Sequence, residues 1–237
     1  MSRFSAEPLR LTLKADAWQL QSADGPHAAG VADDPALALE ALPPIPALRK
    51  AGRLVVELGD IWLRYLVVQW PTGLRGARER RLWLEARFRA VHDIGPEAWC
   101  IAIDRDACGD STLACAAPRA IVEALQVWIQ RHRLRLTAFS GAYVHAYNRI
   151  ATQAAGGRGA FALCRDGRLT TGSWQDGQWL RVRSEPSGTI PAQTLARTLA
   201  LWSAGEPSAL PGRLHVEGMQ AEVLPAGWSL AASGAGV

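Results

Sequence analysis

Alternating apolar and polar positions predict strands in the first third of the chain. In LRLTLKADAWQLQ, apolar residues occupy positions 9, 11 and 13 and then, beyond a turn near 15–16, positions 18 and 20, which is the pattern of a hairpin. The segment 24–50 is rich in Ala, Asp and Pro, and we expect a mobile connection with one short helix. The stretch RLVVELGDIWLRYLVVQWP predicts a second hairpin, joined at Gly59-Asp60. Its second strand is apolar on both faces, so we place it in the centre of a sheet.

Helix and strand periods then alternate along the rest of the chain. Apolar residues at 84, 88 and 91 predict an amphipathic helix over 75–92, and WCIAID and STLACAA predict a strand pair. A second helix follows Pro118, and a strand, LRLTAF, leads into a third helix that reaches Ile150. FALCRDGRLTTGSWQDGQWLRVRS predicts a three-stranded meander, because Asp-Gly marks both of its turns. A last helix and the strand LHVEG complete the pattern.

This order of elements predicts an α/β fold with mixed sheets and flanking helices. Each half opens with antiparallel strands, so we divide the chain into two unequal halves, residues 1–152 and 153–225. The segment 226–237 is predicted to be a flexible tail.

Composition adds limits on location and on partners. The chain has 237 residues, 49% of them hydrophobic, but no uncharged apolar run long enough to cross a bilayer and no export signal, so we expect a soluble, cytoplasmic protein. Four scattered cysteines and five histidines lack metal-ligand spacing, and no metal site is predicted. The net charge of +4 is concentrated in LRGARERRLWLEARFR, which leaves nucleic-acid binding open as a third hypothesis. Glu79 and Glu85 interrupt the arginines and favour a solvated helix face instead.

Four segments resemble the actin-like domain of bacterial pilus and secretion platforms. They are VVELGDIWLRYLVVQWP with its following helix, LACAAPRAIVEAL, LRLTAFSGAYVHAYNR and LCRDGRLTTGSWQDGQWLRVR. Over residues 8–218 the chain resembles the PilM family and the cytoplasmic domain of the type II secretion protein GspL. The resemblance implies an actin-like fold, here in two trimmed halves.

The segment ELGDIWLR raises the question of a phosphate-binding turn. Glu57, Gly59 and Arg64 match the Asp-x-Gly-x-x-x-x-Lys/Arg spacing of actin-like ATPases and sugar kinases with one acid exchanged. In nucleotide-binding members of that superfamily, however, the turn lies in the first hairpin, where this chain has Thr12, Lys14 and Gln19. A second such turn should open the second half, but GGRGAFALC contains no acid. We therefore interpret ELGDIWLR as a structural hairpin and predict no catalytic residue and no cofactor.

Two surfaces are candidates for partner binding. Trp174 and Trp179 flank a turn of the meander and could anchor an apolar residue of a partner, or else pack inward as core. Arg78, Arg81 and Arg89 on the predicted helix would favour an acidic partner.

The resemblance implies a scaffold rather than an enzyme. We expect a cytoplasmic adaptor of a type IV pilus or type II secretion assembly platform, recruited to the inner membrane by its partners. Those partners would be an inner-membrane platform protein with a short cytoplasmic tail and the hexameric motor ATPase, with the chain itself a monomer or a weak homodimer. The alternative is a small nucleotide-binding ATPase or kinase of the same fold that uses Glu57, Gly59 and Arg64.

Overall fold

The computed structural model describes residues 8–22, 25–31, 34–42, 52–103, 111–152, 156–205, 211–221 and 223–231. Within them the chain forms mixed strands and helices. In chain order, the elements are β1 (Leu9–Leu13), β2 (Ala17–Ser22), β3 (Gly25–Val31), α1 (Pro35–Ala41), β4 (Arg53–Leu58), a 3₁₀ turn (Asp60–Trp62), β5 (Arg64–Gln69), α2 (Ala77–His92), β6 (Trp99–Ile103), β7 (Ser111–Pro118), α3 (Arg119–Arg131), β8 (Arg135–Gly141), α4 (Ala142–Ile150), β9 (Arg158–Arg165), β10 (Arg168–Gln175), β11 (Gln178–Pro186), α5 (Pro191–Gly205), β12 (Gly212–Glu217) and β13 (Trp228–Leu230).

The chain divides into two compact units that are discontinuous in sequence. Unit 1 comprises the residues up to Leu63, Glu97–Cys100 and Ala117–His145. Unit 2 comprises Arg64–Pro96, Ile101–Ala116 and the residues from Ala146 onward. The predicted boundary between residues 152 and 153 lies in sequence after β8 and α4 and before β9. The division into two domains at this point stays a prediction.

Unit 1 is built on a five-stranded sheet with the order β3-β2-β1-β4-β8. β1, β4 and β8 are parallel, whereas β2 and β3 run antiparallel to their neighbours. The predicted alternation in β1 is confirmed, because Leu9, Leu11 and Leu13 are buried and lie in register with the buried Leu54, Val56 and Leu58 of β4. These leucines and valines form one apolar face of the sheet. Helix α1, which packs against α3, contacts β2.

Unit 2 contains a second five-stranded sheet with the order β11-β10-β9-β12-β13. Counted within each sheet, both orders read third, second, first, fourth, fifth strand, so the same topology occurs twice. The meander prediction is confirmed: β9, β10 and β11 are antiparallel, and both Asp-Gly turns have positive φ at both residues, as in a type I′ hairpin. The buried Leu195 and Leu199 of α5 pack with Leu169 and Leu214 in the core.

A third sheet, with the order β5-β7-β6, corrects two predictions about the segment 53–71. β4 and β5 do not form a hairpin, because β4 pairs with β1 and β8 while β5 pairs with β7 in a different sheet. β5 is an edge strand of its sheet rather than a central one, and Leu66 is only half-buried. Its apolar character on both faces has another cause: α2 and β11 both contact β5.

The Arg-rich helix is confirmed as amphipathic, with one exception. Leu84 and Phe88 of α2 are buried, but Val91, predicted on the same face, is 49% exposed. Val91 lies in the last turn, two residues before Asp93, the left-handed residue that ends the helix. A residue at the end of a helix can keep the periodicity of the buried face and still lie beyond the core.

Two segments contain more regular structure than the sequence predicts. The segment 24–50 includes β3 as well as the expected short helix, α1, whose N-cap Asp34 accepts a hydrogen bond from the Ala36 N–H. The predicted tail includes β13, which pairs parallel with β12 and buries Trp228. The Trp228 Nε1–H donates to Ser203 Oγ at 3.0 Å, and this contact holds the strand against α5. Residues 43–51 and 232–237 lie outside the described residues.

Candidate functional site

The turn of the first hairpin is closed by hydrogen bonds from its own chain. The Lys14 N–H donates to the Ala17 carbonyl at 2.7 Å, and the Lys14 carbonyl accepts from Trp62 Nε1 at 3.0 Å. Thr12 lies two residues before Lys14, in register with Gln19 on β2. A Mg²⁺ site would need an oxygen-rich ligand set that includes a carboxylate, and Thr12 supplies a hydroxyl instead.

Glu57 is a buried acid at the carboxyl end of β4, in register with Thr12. Its Oε2 lies 3.6 Å from Nε2 of His145, and the same nitrogen lies 3.0 Å from Nη1 of Arg10. Because a guanidinium can only donate, His145 Nε2 accepts in this bond, and a neutral His145 then carries its proton on Nδ1. The Glu57 carboxylate therefore lies beside His145 and Arg10, in a group of three side chains from β4, α4 and β1.

The residues that follow Glu57 are also bound within unit 1. The Gly59 N–H donates to the Leu13 carbonyl at 2.7 Å, and its φ of −58° is open to any residue. Asp60 is buried, and its Oδ1 accepts from the Tyr143 N–H at 3.1 Å in the first turn of α4. A carboxylate in this position stabilises the amino end of a helix, where N–H groups lack partners within the helix. Arg64 begins β5 in unit 2.

The three residues of the alternative nucleotide site therefore have different environments. Glu57 lies beside His145, the Gly59 N–H bonds to Leu13, and Arg64 begins a strand of unit 2. The segment 57–62 joins the ends of β1 and β4 to the start of α4 through the contacts described above. Among the described residues, no group of three or more His, Cys, Asp or Glu side chains could hold a metal ion. Sequence reasoning missed His145 and Tyr143, because both come from a helix far along the chain and no local signal links them to β4.

The two tryptophans of the meander have different environments. Trp174 is only 2% exposed, and the edge of its ring meets Tyr147 at 5.5 Å between centroids. Gly159 makes room for Trp174, because a Cβ at that position would lie 2.4 Å from the indole ring. Trp179 is half-buried, with its ring centroid 4.7 Å from that of Tyr147. Inward packing therefore describes Trp174, while Trp179 keeps part of its surface exposed.

Tyr147 was not singled out as a site residue by the sequence, yet it holds this aromatic cluster together. Its ring contacts Trp174, Trp179 and Phe161. Burial raises the pKa of the Tyr147 hydroxyl above its ordinary value of 10.0. The Asp-Gly turns fix the register that sets Gly159 opposite Trp174, but no local signal in the sequence links Tyr147 to this pair.

The arginines predicted on α2 lie on an exposed face. Arg78, Arg81 and Arg89 are all exposed, and Arg81 Nε pairs with Glu85 Oε1 at 2.8 Å. Leu82, in the same part of the helix, is 56% exposed. The face therefore offers positive charge around one apolar side chain, a combination suited to an acidic protein surface.

No protein-family description and no curated protein matches this sequence. Solved structures match it at low identity but over most of its length. A Bacteroides thetaiotaomicron protein with an actin-like ATPase fold and unknown function is 12% identical, with 94% of this chain and 87% of that chain covered and a TM-score of 0.63.

Two further solved structures are similar at comparable identity and coverage. The PilM–PilN type IV pilus biogenesis complex gives 14% identity, coverage of 90% and 82%, and a TM-score of 0.56. The cytoplasmic domain of EpsL, an inner-membrane component of the type II secretion system of Vibrio cholerae, gives 16% identity, coverage of 96% and 87%, and a TM-score of 0.52. Together with the repeated sheet topology, these matches show that the chain has the actin-like fold in a trimmed form, which confirms the predicted fold class.

Proposed function

We propose that this chain is a cytoplasmic adaptor of a type IV pilus or type II secretion assembly platform that works by binding and does not hydrolyse nucleotide. One observation carries the proposal. In an actin-like fold, the turn of the first hairpin offers Thr12 and Lys14 where a phosphate turn needs an acid and a glycine. The nearby acids Glu57 and Asp60 contact the protein's own groups.

The loss of the acid and the glycine removes two separate contributions to nucleotide binding. A carboxylate would order Mg²⁺ and its waters next to a triphosphate, and glycine would let the backbone approach a phosphate oxygen closely. The Lys14 backbone instead bonds to Ala17 and Trp62. The Lys14 N–H is therefore already used within the hairpin and is not offered to a phosphate oxygen.

Membrane association would come from partners. No helix in the described part of the chain is long and apolar enough to cross a bilayer. The similarity to PilM, whose structure was solved with PilN, and to the cytoplasmic domain of an inner-membrane component supports a platform protein as the recruiting partner. We assign the hexameric motor ATPase as the second partner. In isolation, we expect the chain to be a monomer or to form at most a weak homodimer.

Two surfaces are proposed for these partners. Trp179, with its half-exposed ring beside Tyr147, would anchor an apolar residue of the platform protein's tail. The exposed face of α2, with Arg78, Arg81 and Arg89, would bind an acidic surface, and we assign it to the motor ATPase. An interface on α2 would weaken with salt, because exposed charges are screened within about 10 Å at 0.1 M ionic strength.

Capture from membranes tests this function. The tagged chain is incubated with detergent-solubilised membranes of its source organism, and the bound proteins are identified by mass spectrometry. We expect the wild type to capture an inner-membrane platform protein and the motor ATPase. The triple variant Arg78→Glu, Arg81→Glu and Arg89→Glu should still capture the platform protein but no longer the ATPase. Leu201→Ser, which alters an exposed apolar residue on α5, is the matched control. Capture of neither protein by the wild type contradicts the proposal.

One observation favours a second function, a nucleotide-binding ATPase of the same fold. Glu57 is a buried carboxylate beside Thr12, so an acid is present near the first hairpin although it belongs to another strand. For that function Glu57 would have to leave His145 and take the role of the missing acid. Calorimetric titration with Mg·ATP separates the two functions, because only the second requires saturable nucleotide binding.

A further inference from the structure

Strand β8 is an open edge of the first sheet with two exposed apolar side chains. Among the strands that the structure describes, β8 pairs with β4 alone, and Arg135 through Phe139 are all exposed. Leu136 is 40% exposed and Phe139 is 36% exposed. An unpaired edge offers backbone N–H and C=O groups to another extended chain.

A bulge brings both apolar side chains to the same face of the sheet. Residues three apart on a regular strand point to opposite faces. Here the register shifts, so that Leu136 pairs with Leu54 and Phe139 pairs with Val56. Leu54 and Val56 are both fully buried and, being two residues apart, share one face. Leu136 and Phe139 therefore extend the apolar face of the core to the open edge.

The opposite face of the same edge is positively charged. Arg53 and Arg135 are paired in register on neighbouring strands, and both are exposed. An acidic residue on an added strand would lie beside Arg135, and opposite charges on neighbouring strands stabilise a sheet. Arg131 and Arg133 precede the strand and are exposed as well. Among the described residues, no acidic side chain forms an ion pair with Arg135.

We propose that β8 binds an extended peptide of a partner protein by strand addition, and that this peptide alternates apolar and acidic residues. Its apolar side chains would lie beside Leu136 and Phe139 on one face, and its acidic side chains would lie beside Arg135 on the other. A second copy of this chain fits less well, because its own β8 contains Arg135 and no acid. This surface belongs to unit 1, whereas Trp179 and α2 belong to unit 2, and the proposal does not require a pilus or secretion partner.

Fluorescence anisotropy with synthetic peptides tests the proposal. The probe is a labelled eight-residue peptide of alternating valine and glutamate, and the comparison peptide has the same composition in two blocks, four valines and then four glutamates. We expect saturable binding of the alternating peptide and at least tenfold weaker binding of the block peptide. Arg135→Glu should weaken binding of the alternating peptide about tenfold, because one charge-assisted contact is lost.

Matched variants separate binding from folding. A peptide in which lysine replaces glutamate should bind Arg135→Glu better than the wild type, a gain that loss of folding could not produce. Leu136→Ser with Phe139→Ser should abolish binding, whereas Leu201→Ser on α5 should leave it unchanged. Equal affinity for the alternating and block peptides overturns the proposal. So does dimerisation in sedimentation experiments that Phe139→Ser abolishes, because the occupant would then be a second copy.

Discussion

Replacing Asp60 with alanine tests whether the segment 57–62 is a structural junction. Asp60 is 7% exposed, and its carboxylate accepts from the Tyr143 N–H at 3.1 Å, in the first turn of α4. The substitution leaves that N–H buried without this acceptor, since Tyr143 itself is 0% exposed. A hydrogen bond to a charged group contributes about 1.5–3 kcal/mol. We therefore expect a loss of about 2 kcal/mol in the free energy of unfolding, or a fall in Tm of roughly 4–8 °C for a chain of this size.

The assay is urea unfolding followed by circular dichroism, with two comparison variants. Asp34→Ala removes the exposed N-cap of α1, whose side chain accepts from the Ala36 N–H at 2.7 Å, and it should cost about 1 kcal/mol or less. Asp60→Asn keeps an acceptor oxygen and should lie between Asp60→Ala and the wild type. If Asp60→Ala is no more destabilising than Asp34→Ala, then Asp60 does not hold the start of α4 and our interpretation of this segment is refuted.

Three further predictions concern unit 2. Gly218→Ala should lower the free energy of unfolding by roughly 3 kcal/mol or more, because its Cβ would lie 2.0 Å from a backbone carbonyl oxygen and its φ is +78°. The control is Gly167→Ala, where φ is +71° but no atom beyond its chain neighbours lies within 4 Å of the added Cβ, and it should cost about 1–2 kcal/mol. Thermal unfolding measures both. Trp174→Ala should lower the free energy of unfolding by about 3–5 kcal/mol, because the Trp174 ring is buried. Trp179→Ala should lower Tm far less and should reduce capture of the platform protein, because the Trp179 ring is half-exposed. Equal losses of stability in the two variants would contradict the anchor role of Trp179. Burial lowers the pKa of His92 in the folded state below its ordinary value of 6.5, so the unfolded chain binds the proton first and stability is lost as pH falls below 6.5. His92→Gln should flatten this acid dependence in urea titrations at pH 7.5 and 5.5, and an unchanged slope would exclude His92 as its source.

Local sequence signals were sufficient for elements whose pattern matches their burial. The alternating leucines of β1 and the Asp-Gly turns of the meander are of this kind, since each turn fixes the pairing of its own two strands. β3 could not be read in this way. Its sequence, GPHAAGV, has no apolar alternation, and it becomes a strand by pairing with β2, where Gly30 makes room for the Trp18 ring.

Long-range pairing explains why the segment 53–71 was misread. Gly59-Asp60 looks like a hairpin turn, but β4 pairs with β1 and β8, and β5 joins another sheet. No local pattern encodes that choice of partners. The candidate site was predictable to the same extent. The absence of an acid at Thr12 is visible in the sequence. The contacts of Glu57 with His145 and of Asp60 with Tyr143 depend on where α4 packs.

Calorimetric titration of the purified chain with Mg·ATP is the most direct test of the claim that this actin-like protein acts by binding partners and not by nucleotide chemistry. Thr12 and Lys14 leave the first hairpin without the acid and the glycine of a phosphate turn. We therefore predict no saturable heat up to about 1 mM Mg·ATP, which corresponds to a binding free energy weaker than about −4 kcal/mol. A dissociation constant in the low micromolar range that Glu57→Gln abolishes, with the fold of the variant intact by circular dichroism, would contradict the claim and establish the nucleotide-binding alternative.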